Sequence, residues 1–310
     1  GEIKLSQIGI GKQSFFGEAP SCFTLEEPVE ALLPKRTPDG NKGTFGKALL
    51  IAGSKNMSGA ALLSARACYR MGAGMVKLLS DKENRVIIQE SIPEALLGEL
   101  GNEIDLSKSI FWSDVICIGP GLGRSKEAKD ALNALLSLNE SYEKAYVIDA
   151  DGLNLIASEE GLAAKLKDQA QSGRTIVLTP HPMELKRLYD ALFDDQKDLP
   201  MEEFKKNLCG AANKIAQALS VIVVAKDART FVCAKDKASY LNLSGNSGMG
   251  TAGSGDVLAG IITAFLAQEK EDPFLTTCKA VRTHGLLGDL ASKKLGEHGV
   301  MAGDLINAFE

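Results

Sequence analysis

The chain has 310 residues, 45% of them hydrophobic and 24% charged, with a formal net charge of -5 and a pI near 5.5. That length and balance allow a large buried core and exclude a disordered chain, and an acidic chain without clustered Lys and Arg does not suit nucleic acid or an anionic membrane as its main partner. No apolar run approaches the ~20 residues of a membrane-spanning helix, and no secretory signal opens the chain. Cys22, Cys68, Cys117, Cys209, Cys233 and Cys278 are irregularly spaced, with no Cys-x-x-Cys pair to suggest zinc or redox chemistry. They read as core thiols of a reducing cytoplasm.

Residues 1 to about 22 include a short strand candidate, Ile3-Lys4-Leu5, and read as detached from the rest of the chain. Thr24 can cap a helix through Leu25 to Leu33, ended near Pro34, and Thr37-Pro38-Asp39-Gly40-Asn41 is a turn-rich linker, so the main domain is expected from about residue 41. The chain then alternates. Lys47 to Ala52, Gly74 to Leu79, Asp114 to Ile118, Tyr146 to Ile148, Thr175 to Leu178 and Val221 to Val224 are apolar strand candidates. Helical stretches separate most of them, among them Ser58 to Met71, Lys126 to Leu138 and Glu202 to Leu219. This pattern predicts an α/β fold with a mostly parallel sheet covered on both faces. Arg229 to Ala234 and Ser239 to Leu243 come next without an intervening helix and predict an antiparallel edge meander; helices Asp272 to Leu295 and Ala302 to Phe309 close the chain.

In such a sheet, ligands bind beyond the carboxyl ends of the strands. Five loops there are glycine-rich or polar: Gly53 to Ala60, Gly119-Pro120-Gly121-Leu122-Gly123, Asp149-Ala150-Asp151-Gly152, Thr179-Pro180-His181-Pro182-Met183-Glu184, and Lys226-Asp227-Ala228-Arg229-Thr230. Singly, each has a plain reading. Gly121 and Gly123 suit a strand-to-helix turn, Asp149 and Asp151 a turn or helix cap more than a metal, and His181 a rigid loop between two prolines. His284 and His298 sit in the helical tail and read as structural.

The most distinctive stretch is Gly245 to Gly260, with glycines at 245, 248, 250, 253 and 255 ahead of Asp256 and an apolar helix from Val257 to Leu266 behind it. Glycines allow close approach to the main chain, and a helix start offers free N–H groups and a positive dipole end, which together hold phosphate. Asp256 has two readings: a helix cap, or the acid at the edge of an anion site that phosphoryl transfer to a hydroxyl needs. The stretch is not a Walker loop, because no Gly-Lys-Ser/Thr follows the glycines.

Together with Pro34-Lys35-Arg36, Lys42-Gly43-Thr44-Phe45-Gly46, Gly296-Glu297-His298-Gly299 and Ala302-Gly303-Asp304-Leu305, these motifs resemble the ADP/ATP-dependent NAD(P)H-hydrate dehydratases of the ribokinase-like superfamily, over residues 24–310. The resemblance implies a three-layer αβα ribokinase-like fold and an enzyme that returns hydrated NADH or NADPH to the reduced dinucleotide. The ring hydroxyl is phosphorylated, with ADP favoured over ATP as donor and Mg2+ as companion ion, and phosphate then leaves. Carried over by motif, Asp256 would be the base. Ala60, Gly121, Gly123 and His181 would hold the hydrated dinucleotide. Lys226, Asp227, Ala228, Arg229, Thr230, Asn246, Gly253, Ser254 and Gly255 would hold the nucleotide, with the N–H groups of 253 to 256 on the transferred phosphoryl. Residues 1–23, with Gln7-Ile8-Gly9-Ile10, are similar to the end of an epimerase domain and its linker, which implies the dehydratase half of a two-activity protein; the family also implies a cytoplasmic homotetramer. Met183, Asp227 and Ala252 stand where the family commonly has Gly, each adding a side chain near ligand. A kinase for a small alcohol shares the anion loop and aspartate, and is the alternative.

Overall fold

The computed structural model describes residues 20–138, 144–194, 197 and 199–308. The strand expected at Ile3-Lys4-Leu5, the epimerase remnant at residues 1 to about 16, and Phe309 lie outside them.

The expected strands form, with two further strands, one ten-stranded sheet. In chain order they are β1 Cys22–Phe23, β2 Lys47–Ile51, β3 Met75–Ser80, β4 Leu96–Glu99, β5 Val115–Ile118, β6 Ala145–Ile148, β7 Ile176–Leu178, β8 Ile222–Ala225, β9 Phe231–Cys233 and β10 Ser239–Leu241. Their spatial order is β1-β10-β9-β8-β7-β6-β5-β2-β3-β4. Only β9 runs antiparallel to its neighbours, so the expected meander is present at one side of a parallel sheet. Cys22 and Phe23 pair beyond it with Ser239 and Tyr240, and the Phe23 ring packs on Tyr240 and Phe274. Residues 22 and 23 therefore belong to this sheet.

Helices cover both faces. The first half of the chain supplies α1 Val29–Leu32, α2 Ser58–Arg70, α3 Arg85–Ser91, α4 Glu103–Trp112, α5 Lys126–Leu136, α6 Ala150–Ser158 and α7 Leu162–Gln171. The second supplies α8 Pro182–Leu192, α9 Met201–Lys205, α10 Leu208–Leu219, α11 Ser254–Gln268, α12 Pro273–Leu295 and α13 Ala302–Asn307. The period of two along each strand divides the core. Ala48, Leu50, Val115 and Cys117 face α2, α11 and α12, while Leu49, Ile51, Ile116 and Ile118 face α5, α8 and α10. Both faces are apolar because both are buried, which is why the strands read as continuous rather than alternating runs. Among the described residues no helix is long and apolar enough to cross a membrane.

Two helices differ from expectation. The one expected over Leu25 to Leu33 begins only at Val29, because Pro28 disfavours the helical region for Glu27 and itself serves as the flanking residue. The one expected over Glu202 to Leu219 is two: Asn207 interrupts it by accepting a hydrogen bond from Gly210 N at 3.1 Å and capping α10. The fifteen-residue α11 runs close beside α2, where a Cβ on Gly260 would stand 2.2 Å from the Ser64 carbonyl oxygen.

The chain builds β3 and β4 outward from β2 in one direction, then β5 to β8 in the other. The resulting switch point lies between β2 and β5, where Gly53 N donates to Pro120 O at 2.9 Å and Ser54 N to Gly121 O.

Candidate active site

The five loops converge, and hydrogen bonds tie each to the next. From the switch point, Gly123 N donates to Asp151 Oδ2 at 2.8 Å, joining the β5 loop to the β6 loop. Thr179 Oγ1 donates to Asp149 Oδ1 at 2.7 Å, joining β6 to β7, and Lys226 N donates to Pro180 O at 2.9 Å, joining β7 to β8. Gly119 holds the frame closed: its φ of +125° is open to glycine, and a Cβ there would meet Asp149 O at 1.8 Å. Ala150, between the two aspartates, has a φ of +45°, a strained conformation for a residue with a Cβ.

At the centre lies a buried ion pair. Lys226 Nζ is 2.8 Å from Asp149 Oδ1, with side-chain exposures of 19% and 2%. Burial opposes the Lys226 charge, but Asp149 and then Glu184 and Asp256 raise its pKa overall, so the ammonium is retained. Asp149 flanks α6, its carbonyl accepting from Gly152 N at 2.9 Å, but its side chain does more than form a turn. It makes no side-chain cap on α6, and its carboxylate belongs to Thr179 and Lys226. Asp151 likewise serves the Gly123 N–H.

The glycine loop meets this frame from the other side. Gly253, at φ +92°, precedes α11, and a Cβ there would press on Leu63 Cδ1 at 2.4 Å. Ser254 N turns back to Thr251 O at 3.3 Å, so it is not free for a phosphoryl group as expected. Among the described residues the N–H groups of Gly255 and Asp256 have no acceptor, and they supply the open donors of the helix start. Gly255 faces Lys226: a Cβ there would lie 3.3 Å from Nζ.

Asp256 occupies the first turn, yet among the described residues its carboxylate accepts no hydrogen bond and caps nothing. Burial, then the nearby Asp149 carboxylate, raise its pKa from 3.8 to about 6, with Lys226 opposing them. A half-buried, unpaired acid poised near neutral pH suits a general base.

A cavity of about 530 Å³ opens beside this helix start. Of the residues expected at the nucleotide, Lys226, Asp227, Ala228, Thr230, Asn246, Ser254 and Gly255 line it; Arg229 and Gly253 do not. Arg229 is exposed and turned to its neighbour Ala228 O, and Gly253 lies behind the loop against Leu63. Asn246 contributes a wall rather than a free amide, since Gly288 O, Asp289, Gly248 N and Ser292 use both ends of its side chain. Of the residues expected at the dinucleotide, Ala60, Gly121 and Gly123 sit together at the switch point, where a Cβ on Gly121 would meet Ala60 Cβ at 2.8 Å. His181 stands apart from them and lines the nucleotide cavity.

His181 is also a helix cap. Its Nδ1 accepts from Met183 N at 3.1 Å and Glu184 N at 3.4 Å, while His181 N donates to Glu184 Oε2 at 2.9 Å. With Nδ1 accepting, the proton rests on Nε2, 3.2 Å from Glu184 Oε1. Sequence reasoning left Glu184 without a role, although its place three residues after His181 is a capping-box signal. His284, read as structural, is indeed buried, and it holds the loop: its Nε2 lies 3.0 Å from Ser254 O. Burial lowers its pKa to about 4, leaving it neutral.

The arrangement is a three-layer α/β fold with open N–H donors at a helix start, an unpaired acid and a nucleotide-sized cavity at the carboxyl edge of its sheet, the ribokinase-like class. A solved ribokinase-like superfamily protein from Enterococcus faecalis V583 superposes with a TM-score of 0.77 at 28% identity, covering 94% of this chain and 95% of that one. The NAD(P)H-hydrate dehydratase family model matches residues 48–310, and the chain belongs to that family. The ADP-dependent (S)-NAD(P)H-hydrate dehydratase of Listeria monocytogenes is 34% identical over 266 residues, 85% of this chain and 87% of that one. The ADP/ATP-dependent NAD(P)H-hydrate dehydratase of Bacillus subtilis, co-crystallized with ATP/Mg2+, has a TM-score of 0.74 at 28% identity, covering 90% of this chain and 93% of that one. The bifunctional NAD(P)H-hydrate repair enzyme Nnr of Escherichia coli is 33% identical over 288 residues, 93% of this chain and 51% of that protein. The chain spans about half the length of the bifunctional relatives it matches.

Proposed function

We propose that the chain dehydrates NADH or NADPH carrying water on the nicotinamide ring, with ADP or ATP as phosphoryl donor. The observation that carries this reading is the unpaired Asp256 carboxylate beside the open N–H groups of Gly255 and Asp256, at a helix start whose Ser254 and Gly255 line a nucleotide-sized cavity, in a chain of this family. The nucleotide lies along Lys226 to Thr230 and the glycine loop, and the hydrated dinucleotide lies at Ala60, Gly121, Gly123 and His181. Because His181 lines the nucleotide cavity, the two ligands adjoin.

Asp256 takes the proton of the ring hydroxyl as its oxygen attacks the terminal phosphorus, and the shortened nucleotide leaves. The Gly255 and Asp256 N–H groups stabilise the charge on the transferred group, with Lys226 beside them. Phosphate then departs with its oxygen, the adjacent ring carbon gives up a proton, and the double bond is restored. Hydroxide is a poor leaving group and phosphate a good one, which is why a nucleotide is consumed. Among the described residues no cluster of three acidic, His or Cys groups exists, so nucleotide phosphates and water would supply most of a magnesium ion's oxygen coordination, leaving the Asp256 carboxylate to the proton. Such an ion would neutralise phosphate charge when bound.

The half-length match to bifunctional relatives supports reading residues 22–310 as the dehydratase part of a longer protein with an epimerase part. Hydrated NADH incubated with the chain and ADP or ATP should regain reduced-nicotinamide absorbance with one nucleotide consumed per dinucleotide. No recovery with either nucleotide, alongside phosphorylation of a small alcohol, would make the protein a kinase instead.

A further inference from the structure

Three thiols that are far apart in the sequence meet at the β1 side of the sheet, away from the candidate active site. The β10 register against β1 sets Cys22 beside Ser239, and Ser239 Oγ lies 3.6 Å from Cys233 Sγ on β9. α10 covers this point. Its Asn213 Nδ2 donates to Ser239 Oγ at 2.9 Å and lies 3.5 Å from Cys209 Sγ, and Cys233 Sγ is 3.9 Å from Cys209 O. Cys209 is the second residue of α10, at the positive end of a twelve-residue helix, and is half-buried; Cys233 is fully buried and Cys22 is exposed.

The two inner thiols are held in opposite states. Hydrogen bonding from Cys233, then from Ser239 and Asn213, lowers the Cys209 pKa against the cost of burial. The same contact to Cys209, with burial, raises the Cys233 pKa. The half-buried Cys209 is therefore the more acidic and more reachable thiol of the pair, and the buried Cys233 the less acidic one. Cys22, whose pKa is raised by burial and by Cys209, is the weaker nucleophile.

We propose that Cys209 and Cys233 form a peroxide-sensitive dithiol that closes a disulfide between α10 and β9. In the first step the Cys209 thiolate attacks one oxygen of hydrogen peroxide, the O–O bond breaks, and sulfenic acid and hydroxide result. In the second, the Cys233 sulfur attacks the sulfenic sulfur; its proton and the departing hydroxyl leave as water, and the S–S bond forms. Across both steps peroxide is reduced to water and two thiols are oxidised. This site is independent of the dehydratase activity.

The full chain, treated with hydrogen peroxide and then denatured and alkylated, should show a joined peptide pair carrying Cys209 and Cys233, with the other four cysteines alkylated. Dithiothreitol should reverse it. Before oxidation, Cys209 should alkylate at least about tenfold faster than Cys22 near pH 7. Cys209→Ser should abolish the disulfide. Cys233→Ser, which keeps a hydroxyl donor beside Cys209, should leave Cys209 as a sulfenic acid trapped by dimedone, and that labelling reports on Cys209 in a folded chain checked by its melting curve. The proposal is overturned if peroxide leaves both thiols alkylatable, if the bridge joins Cys22 to Cys209, or if dimedone labels the Cys233→Ser chain elsewhere.

Discussion

At the residue scale, Asp256 separates a chemical role from a structural one. In Asp256→Asn the amide cannot take the hydroxyl proton, so turnover of hydrated NADH should fall at least about 10²-fold while ADP affinity is largely kept. Stability should move the other way. The folded-state pKa is raised from 3.8 to about 6, so ionising Asp256 penalises the folded chain, with the cost absent below the lower value and complete above the upper. The asparagine variant should therefore gain on the order of 1–3 kcal/mol above about pH 6, a gain that fades toward pH 4. A cap would show the reverse, a loss of up to ~1 kcal/mol, in denaturant titrations at the two pH values. For the same reason kcat/KM of the parent chain should rise with pH through about 6, the value to which Asp256 is pushed. A profile level across that range would remove Asp256 as the base. Gly255→Ala acts on binding instead: its methyl group would lie 3.3 Å from the Lys226 ammonium that Asp149 holds. Calorimetry should find ADP binding at least about tenfold weaker, ~1.4 kcal/mol.

Among the elements, α11 carries the site and is held by what it packs against. A glycine inside a helix ordinarily costs about 1 kcal/mol relative to alanine. Gly260 is kept because α2 leaves no room: the added Cβ would stand 2.2 Å from Ser64 O and 2.9 Å from Ala67 Cβ. Gly260→Ala should thus lower stability by about 1–3 kcal/mol despite the better helix former, with a lower Tm in thermal melts. A raised Tm would mean that the two helices part easily. Eight of the ten strands and most helices are legible in the sequence, since their apolar patterning is local, whereas the short edge strands β1 and β4 carry no such run. Where reading failed, a local signal had been outweighed: Pro28 delayed α1, and Asn207 split a helix whose hydrophobic period ran straight through it.

For the whole molecule, the five tied loops, spread over residues 53–230, and the glycine loop of residues 245–260 meet at one edge of the sheet, so a nucleotide bound there holds the β7 and β8 loops to the glycine loop. Because ADP binds the folded form alone, saturating it to about 100 times Kd should add ~2.7 kcal/mol. For a chain of this length that is a Tm rise of about 3–8 °C, and it should be largely lost in Gly255→Ala. No rise in the parent chain would argue against a nucleotide site at this helix start.

The sequence by itself determined the layers, the parallel sheet with its antiparallel meander, the polar loops at one edge and the glycine loop before Asp256, because each is written in neighbouring residues and their periodicity. Tertiary structure alone decided the partners. Asp149 and Lys226 lie 77 positions apart, and nothing local distinguishes that aspartate from a turn former until the sheet brings the ammonium to it. Ser254 turned its N–H inward, His181 became a cap facing the nucleotide cavity, and Cys209 met Cys233 across α10 and β9. Propensity acts over a few residues, whereas burial and hydrogen-bond pairing act between whichever residues the packed layers bring together.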